Sequence, residues 1–429
     1  MKAAFYTLGC KVNQYESEYM AELLKKAGFE ITDYNDDADY YIINSCTVTA
    51  TADQKTRQNI RKFKRNHPNS TVILTGCMPQ AYPQEAKKLF EADIVLSNKD
   101  NNNILNLINR HAIEKKRLVA INKHAKNEAF SKCTIEQFSE RIRAFVKIED
   151  GCDRYCSYCI IPTSRGFVRS KALQDLKKEI DILADNGIAE IVLVGINLSS
   201  YGKGENFNIV DAVKICAENK KIKRVRLSSL EPDHITDEII AGLAEIEKFC
   251  PQFHLSLQSG STEVLKLMNR KYTAEDYYTL CTKLRKAFKD CTLTTDVMVG
   301  FTGETEEMFM QSLDFVKKTG FEKVHVFPYS DRPGTAASKR SGKISKQEKK
   351  RRASIMIEES DNMRIKYFKT LLGKEVSVLF ENEAEKGYFQ GYTMNYVPVR
   401  VKSDNNLTGK ELIATITSAD CVDYCSAVL

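Results

Sequence analysis

The stretch RAFVKIEDGCDRYCSYC, residues 143–159, runs a short apolar strand directly into three cysteines. The strand is expected at 143–148, and further strands read at 190–194, 223–228, 253–257, 292–298 and 323–327. Helical stretches fall between and after them, near 173–186, 208–219, 236–248, 274–288, 305–319 and 345–370. Six β/α units fall short of the eight that close a full barrel. The expected form is a partial (β/α)6 barrel, TIM-like but open on one side, so that it admits a large substrate. At the end of a barrel strand, the three cysteines stand where such folds place their chemistry.

Their spacing is C-x3-C-x2-C, at Cys152, Cys156 and Cys159. A cubic 4Fe–4S cluster has four irons bound by thiolates, and three cysteines on one tight loop hold three corners. The fourth iron is then open to a small molecule. A structural zinc site wants four closed ligands, and no fourth Cys or His stands nearby. A zinc knuckle or a chance grouping is the plainer alternative. The chain has 13 cysteines, an odd number that argues against a disulfide framework.

Upstream, a strand ends on cysteine three times: AAFYTLGC at Cys10, YYIINSC at Cys46 and TVILTGC at Cys77. Strands near 3–8, 40–44 and 71–75 alternate with helical segments near 14–27 and 52–65, which predicts a small parallel α/β sheet. Ligand groups gather at the carboxyl ends of such strands. Three thiols distant in sequence are therefore expected at one sheet edge, unless each is only a small buried residue capping its strand. Downstream, EVSVLFE, PVRVKS and ELIATITSA are short alternating strands of a small β-barrel. The expected division is 1–130, 138–371 and 372–429, with α/β class in the first two parts.

The chain has 429 residues, 42% hydrophobic and 28% charged, and no apolar run near the roughly 20 residues of a bilayer helix. MKAAFYTLGC ends like a lipoprotein cleavage box. Its apolar stretch is too short for a signal core, and a polar helix follows, so a cytoplasmic location is expected. Net charge is +7, a mild sign of a polyanionic partner. Lys339–Arg352 carries eight cations against Glu348, and Lys55–Arg65 carries six and no acid. Each is either a solvated helix face or a phosphate contact. Residues 373–429 hold five Lys or Arg against eight Asp or Glu. Bulk phosphate attraction is therefore expected from the two runs. The tail would supply shape or stacking through Phe389, Tyr392 or Tyr396.

Polar and small residues recur after the barrel strands: Gly195 and Asn197, Ser229 and Glu231, Gln258, then Gly300, Gly303 and Glu304, then Tyr329, Ser330, Arg332 and Gly334. Singly, each is as readily a turn former or a cap; the recurrence favours a ligand. Arg332 either meets a phosphate or carboxylate or fixes its loop. Cys133, Cys216, Cys250, Cys281, Cys291, Cys421 and Cys425 look structural.

C-x3-C-x2-C with an aromatic, Tyr158, before the last cysteine resembles the radical S-adenosylmethionine signature. The whole chain, with its three N-terminal cysteines and its terminal β-barrel, resembles the methylthiotransferases, whose last domain is called TRAM. TLGCKVNQYES, residues 7–17, and EDGCDRYCSYCIIP resemble the branch acting on N6-threonylcarbamoyladenosine in tRNA. Thr163 and Thr302 depart from the family's usual tyrosine and proline. The resemblance implies a radical-generating 4Fe–4S cluster on Cys152, Cys156 and Cys159, and a second on Cys10, Cys46 and Cys77. It makes Tyr158, Gly195, Asn197, Ser229, Glu231, Gln258, Gly300 and Tyr329 the walls of an S-adenosylmethionine pocket. It further implies that one S-adenosylmethionine methylates a sulfur on the second cluster and another is cleaved to a radical. It implies partners too: the tRNA anticodon stem-loop and a flavodoxin- or ferredoxin-type electron donor. The alternatives are isopentenyladenosine or a ribosomal protein as substrate, a non-catalytic iron–sulfur RNA-binding protein, and a zinc-binding RNA module.

Overall fold

The computed structural model describes residues 1–131, 133–136 and 142–429. The expected domain start at residue 138 lies outside the described residues. The first unit is a six-stranded, all-parallel sheet in the order β2-β1-β3-β4-β5-β6. Its strands are β1 (Lys2–Thr7), β2 (Glu30–Thr32), β3 (Tyr40–Ser45), β4 (Thr71–Gly76), β5 (Ile94–Leu96) and β6 (Leu118–Ala120). β3 and β4 are buried along almost their whole length, as expected of parallel strands covered on both faces. The helices α1 (Lys11–Lys26), α2 (Ala50–Asn66) and α5 (Ile104–Glu114) cover it, with two short helices, α3 (Cys77–Ala81) and α4 (Pro83–Lys87), beyond β4. Three of the six strands, β2, β5 and β6, have only three residues each and were not among the strands expected from sequence.

In the second unit six parallel strands curve in the order β7-β10-β11, then β12-β13-β14: β7 (Arg143–Lys147), β10 (Glu190–Val194), β11 (Arg224–Leu227), β12 (Gln252–Gln258), β13 (Thr292–Val299) and β14 (Lys323–Pro328). The two triplets meet through a bridge between Leu230 and Leu255, with Leu230 N–H donating to His254 O at 2.8 Å. No β7–β14 pairing occurs among the described residues, so the barrel is partial. Its helices are α7 (Leu173–Asp185), α8 (Ile209–Glu218), α9 (Asp237–Ala244), α11 (Ala274–Ala287), α12 (Glu306–Thr319) and α13 (Lys346–Lys369). Local chemistry sets their ends: Asn208 with Asp211, and Thr273 with Asp276, form reciprocal capping boxes, and Gly320 ends α12 in the left-handed region. One apolar core joins the strands to these helices, and Val12 and Tyr15 of α1 belong to it. Tyr15 also donates to Glu179 at 2.8 Å, so α1 of the first unit is fastened into the second.

Alternation along the strands decides what faces the lumen. On β11, Val225 and Leu227 enter the helix-side core while Arg224 and Arg226 face inward. The C-terminal segment, with β15 (Glu375–Glu385), β16 (Tyr388–Thr393), β17 (Pro398–Lys402), β18 (Glu411–Ser418) and β19 (Cys425–Val428), closes as a barrel in the order β15-β16-β17-β19-β18. It docks on the starts of the second unit's strands: Arg224 pairs with Glu411 at 2.7 Å, Arg143 with Glu381 at 3.1 Å, and Arg226 donates to Met394 O at 3.1 Å. No helix among the described residues is long and apolar enough to cross a membrane.

Candidate active site

Cys10, Cys46 and Cys77 follow β1, β3 and β4, three adjacent strands of one sheet. Cys10 caps α1 and its thiol donates to Asn13 Oδ1 at 3.4 Å. Gly9 has φ +111°, and a Cβ there would lie 2.9 Å from Cys46 Cβ, so the turn before Cys10 brings the two cysteine loops into contact. Cys77 is buried at the start of α3. Burial, then the neighbouring Cys77, push the Cys46 thiol up to about 12. Burial raises Cys77 as well, against the pull of Arg165.

The second trio sits on a loop held at both ends. Gly151 has φ +91° and packs so closely that a Cβ would fall 2.0 Å from Phe167 O. Cys152 N–H donates to Gly166 O at 3.0 Å, and Ser157 is pinned between Met268 O (2.9 Å) and Ala337 N (2.7 Å). The two-stranded ribbon of β8 (Glu149–Asp150) and β9 (Arg169–Ser170) closes the base. Burial, then Cys156, bring the Cys159 thiol up to about 12, and burial raises Cys152 also. Tyr158 packs edge-on against Phe301, which in turn meets Tyr329 at 5.1 Å.

Both trios supply three soft thiolates, and no group of three His, Cys, Asp or Glu among the described residues is tight enough to hold one metal ion. A zinc needs its thiolates within about 2.3 Å of one centre, whereas a cubane spreads them over separate irons. Three free thiols in each trio are the donor set that a 4Fe–4S cluster held at three corners takes.

Two buried arginines that sequence reasoning missed reach the cysteines. Arg165, fully buried in α6 (Ile161–Arg165), lies six residues after Cys159 yet donates through Nε to Cys77 Sγ of the other trio at 3.3 Å. Its other nitrogens bind Glu16 at 2.5 and 3.0 Å and Asn13 at 2.9 Å. Lys147 adds bonds to Glu16 (2.8 Å) and Asp150 (2.7 Å). Burial opposes ionisation of Asp150, but Lys147, Arg165 and Arg169 hold its carboxyl well below the usual range. Arg270 does the corresponding work in the second trio: it donates to Cys156 Sγ at 3.4 Å and forks onto Glu231.

The strand-end residues divide. Glu231 is joined to the cysteine loop through Arg270, and Asn197 reaches it through Ser200, His234 and Arg154. Gly195 lies against Glu149, whose Oε2 sits 2.7 Å from where a Cβ would be. Glu149 accepts from Asn197 N–H at 2.7 Å, and burial lifts its carboxyl well above the usual range against that bond. Gln258 takes φ +67° at a bulge in β12, and Ser229 is exposed. Gly300 and Glu304 lock their own turn: Glu304 accepts from Gly300 N–H at 2.6 Å and pairs with Arg352 at 2.7 Å. Arg332 meets a carboxylate, that of Asp53, together with Thr47, and in doing so ties its own loop to the first unit, so both readings describe the same contact.

The basic runs are partly spent on internal pairs. Arg352 is buried against Glu304 and Glu348, Arg351 pairs with Glu306, and Lys343 with Asp331. Lys339, Arg340, Lys346 and Lys350 remain exposed, as do Lys55, Lys62 and Arg65 on α2. The expected stacking role for Phe389 is corrected: it is 5% exposed in the core of the C-terminal barrel. Tyr392 and Tyr396 stack on each other at 4.5 Å, but turn toward the lumen, with Arg226 4.4 Å over the Tyr396 ring. They floor a cavity of about 460 Å³ lined also by Lys11, Ser229, His254, Asp296 and His325.

Residues 2–97 match the family described as Uncharacterized protein family UPF0004, and residues 146–316 match the Radical SAM superfamily. The chain is 37% identical over 422 residues to the threonylcarbamoyladenosine tRNA methylthiotransferase MtaB of Bacillus subtilis (strain 168), covering 97% of this chain and 94% of that protein. It is 40% identical over 392 residues to the protein of the same name from Thermotoga maritima, covering 91% and 89%. Among solved structures, the radical S-adenosylmethionine methyltransferase TsrM from Kitasatospora setae shares the fold, with TM-score 0.58 and 14% identity over 79% of this chain and 77% of that one. With two relatives aligned over nearly their whole length and both family models on the two cysteine-bearing units, this chain belongs to the radical S-adenosylmethionine tRNA methylthiotransferases, in the threonylcarbamoyladenosine branch.

Proposed function

We propose that this chain adds a methylthio group to carbon 2 of N6-threonylcarbamoyladenosine at position 37 of tRNA, in the cytoplasm, drawing electrons from a small flavodoxin- or ferredoxin-type protein. The observation that supports this best is Arg165, whose peptide follows the Cys152–Cys159 loop and whose guanidinium binds Cys77. It fixes two thiol trios across one junction, as a reaction that draws on two iron–sulfur centres requires. Cys152, Cys156 and Cys159 would hold one 4Fe–4S cluster and Cys10, Cys46 and Cys77 the other, each with one iron left without a cysteine. With S-adenosylmethionine bound, these groups supply radical and sulfur chemistry at a carbon that has no acidic hydrogen and no leaving group, where acid–base catalysis has no purchase.

The chain's own residues do the positioning. Arg270 sets Cys156 and carries Glu231 with it. Tyr158, Tyr329 and Phe301 form an apolar wall that would keep water from the iron left without a cysteine. Gly195, Asn197, Ser229, Gln258 and Gly300 line the strand ends where S-adenosylmethionine would lie. The division of labour runs over 1–130, 138–371 and 372–429, with the last part a TRAM-like barrel that shapes the anticodon stem-loop site. The exposed cations of α2 and of the segment before α13 meet phosphates. The start of α2 touches the loop after β14, where Ala50 N–H donates to Ser330 Oγ at 2.9 Å.

Mass spectrometry of tRNA nucleosides from a deletion strain tests this. Loss of the methylthio form of threonylcarbamoyladenosine, restored by the wild-type gene and not by Cys10→Ala or Cys152→Ala, is expected. Loss of a methylthio-isopentenyl form, or no change in tRNA with a change in a ribosomal protein, would overturn it.

A further inference from the structure

The lumen of the partial barrel is polar. A closed eight-stranded barrel is instead filled by branched apolar side chains. Here the inward positions of β12, β13 and β14 read Gln252 and His254, Thr294 and Asp296, Lys323 and His325, and a cavity of about 460 Å³ remains between them. That is within the range of small-molecule sites. Of the acids lining it, Asp296 faces His254 at 3.4 Å, Glu322 faces Arg364 at 3.5 Å, and Asp423 is exposed.

Four cations line the same cavity: Arg364 faces Glu322, Lys323 makes no ion pair among the described residues, and Arg226 and Lys11 are not fully matched. Arg226 is 1% exposed; its Nε binds Glu190 at 3.1 Å and its Nη1 binds Met394 O at 3.1 Å, but the buried Nη2 has no hydrogen-bond partner. A buried guanidinium donor left unpaired is costly, and Arg226 is one of the residues that line the cavity. Lys11, the residue after Cys10, lines the same cavity and makes no hydrogen bond or ion pair among the described residues; its ammonium stands 5.7 Å over the Phe145 ring. Tyr396 stacks under Arg226 and holds the guanidinium plane in place.

We propose that Lys11 and Arg226 form an anion subsite in the barrel lumen that holds the carboxylate of the threonylcarbamoyl group on the substrate adenosine. This inference rests on the function proposed above and supplies its substrate discrimination. An isopentenyl group carries no charge and would find this lumen's inner strand face polar. A threonylcarbamoyl group brings a carboxylate for Lys11 and Arg226. It also brings a hydroxyl and a urea for the histidine, threonine and glutamine side chains around them. Placement beside Cys10 puts the base next to the first cysteine trio, where its sulfur would be delivered.

The test is equilibrium binding of anaerobically reconstituted enzyme to three anticodon stem-loops. They differ only at position 37: adenosine, threonylcarbamoyladenosine, and its methyl ester. Wild type is expected to bind the acid about tenfold or more tighter than adenosine, the scale of one charge-assisted pair, and to lose that preference with the ester. Lys11→Gln should bind the acid and the ester alike, while its affinity for the adenosine loop stays that of wild type. Arg226→Gln is the companion variant; because Arg226 also holds Glu190 and Met394, Lys11→Gln decides. A preference that survives esterification assigns the anion to another source, such as an RNA phosphate or S-adenosylmethionine, and overturns the subsite. So does an undiminished preference in Lys11→Gln. If wild type methylthiolates the acid-bearing tRNA in either case, the function stands without the subsite; if it does not, both fall.

Discussion

Arg165→Leu is the most informative single change. The guanidinium is fully buried and makes four bonds: two to Glu16, one to Asn13 and one to Cys77. Breaking a buried ion pair from one side costs about 3–5 kcal/mol, because the remaining charge stays buried. Here the loss falls at the lower end, since Lys147 still binds Glu16 at 2.8 Å and Asp150 at 2.7 Å. A loss of about 3 kcal/mol corresponds to a melting temperature lower by roughly 6–12 °C in a domain of about 200 residues. Arg165→Lys keeps the charge but reaches only one of the three partners, so an intermediate drop is expected. The assay is thermal unfolding of cluster-free protein, which separates the arginine's own contribution from that of bound metal. A melting temperature for Arg165→Leu within about 1 °C of wild type would show that the Glu16–Asn13–Cys77 network carries no junction stability, and the reasoning would fail.

Glu149 gives a pH signature. Its folded carboxyl is raised by burial, so above the ordinary range the unfolded chain releases a proton that the folded chain keeps, and stability falls as pH rises. Glu149→Gln mimics the protonated acid; its melting temperature should drop less than wild type between pH 5 and pH 8, and parallel curves would contradict this. The two kinds of cation in the basic run should also separate. Lys350→Gln, exposed, should lower the slope of log K against log salt for tRNA by about 0.7–0.9 and leave stability unchanged. Arg352→Gln, buried on Glu304 and Glu348, should lower thermal stability and leave the slope alone; the reverse assignment would refute the pairing argument.

Much of this was legible in the residues, for identifiable reasons. The six barrel strands are long enough, and flanked clearly enough by helices, that 190–194 falls on β10 without shift. β2, β5 and β6 escape because three residues carry no period. The cysteine positions follow from strand ends, but Arg165 does not: Glu16, Asn13 and Cys77 lie 149, 152 and 88 residues away, and no local pattern announces a bond at that range. Phe389 is a different failure. In β16 (Tyr388–Thr393) burial alternates with Phe389, Gly391 and Thr393 inward, but Tyr388 and Tyr392 put aromatics on the other face too, so the period alone did not choose which face enters the core. Tyr392, on the outward face of the same strand, was open to contact, and the neighbour it meets is the partial barrel's lumen.

The central claim is that each cysteine trio carries its own iron–sulfur cluster. Anaerobic iron and sulfide counting on wild type and on the two variants with all three cysteines of one trio replaced by alanine tests it most directly. The account predicts about eight irons and eight sulfides per chain in wild type and about four of each in either variant. About four irons in wild type, or an undiminished count after removing Cys10, Cys46 and Cys77, would contradict it.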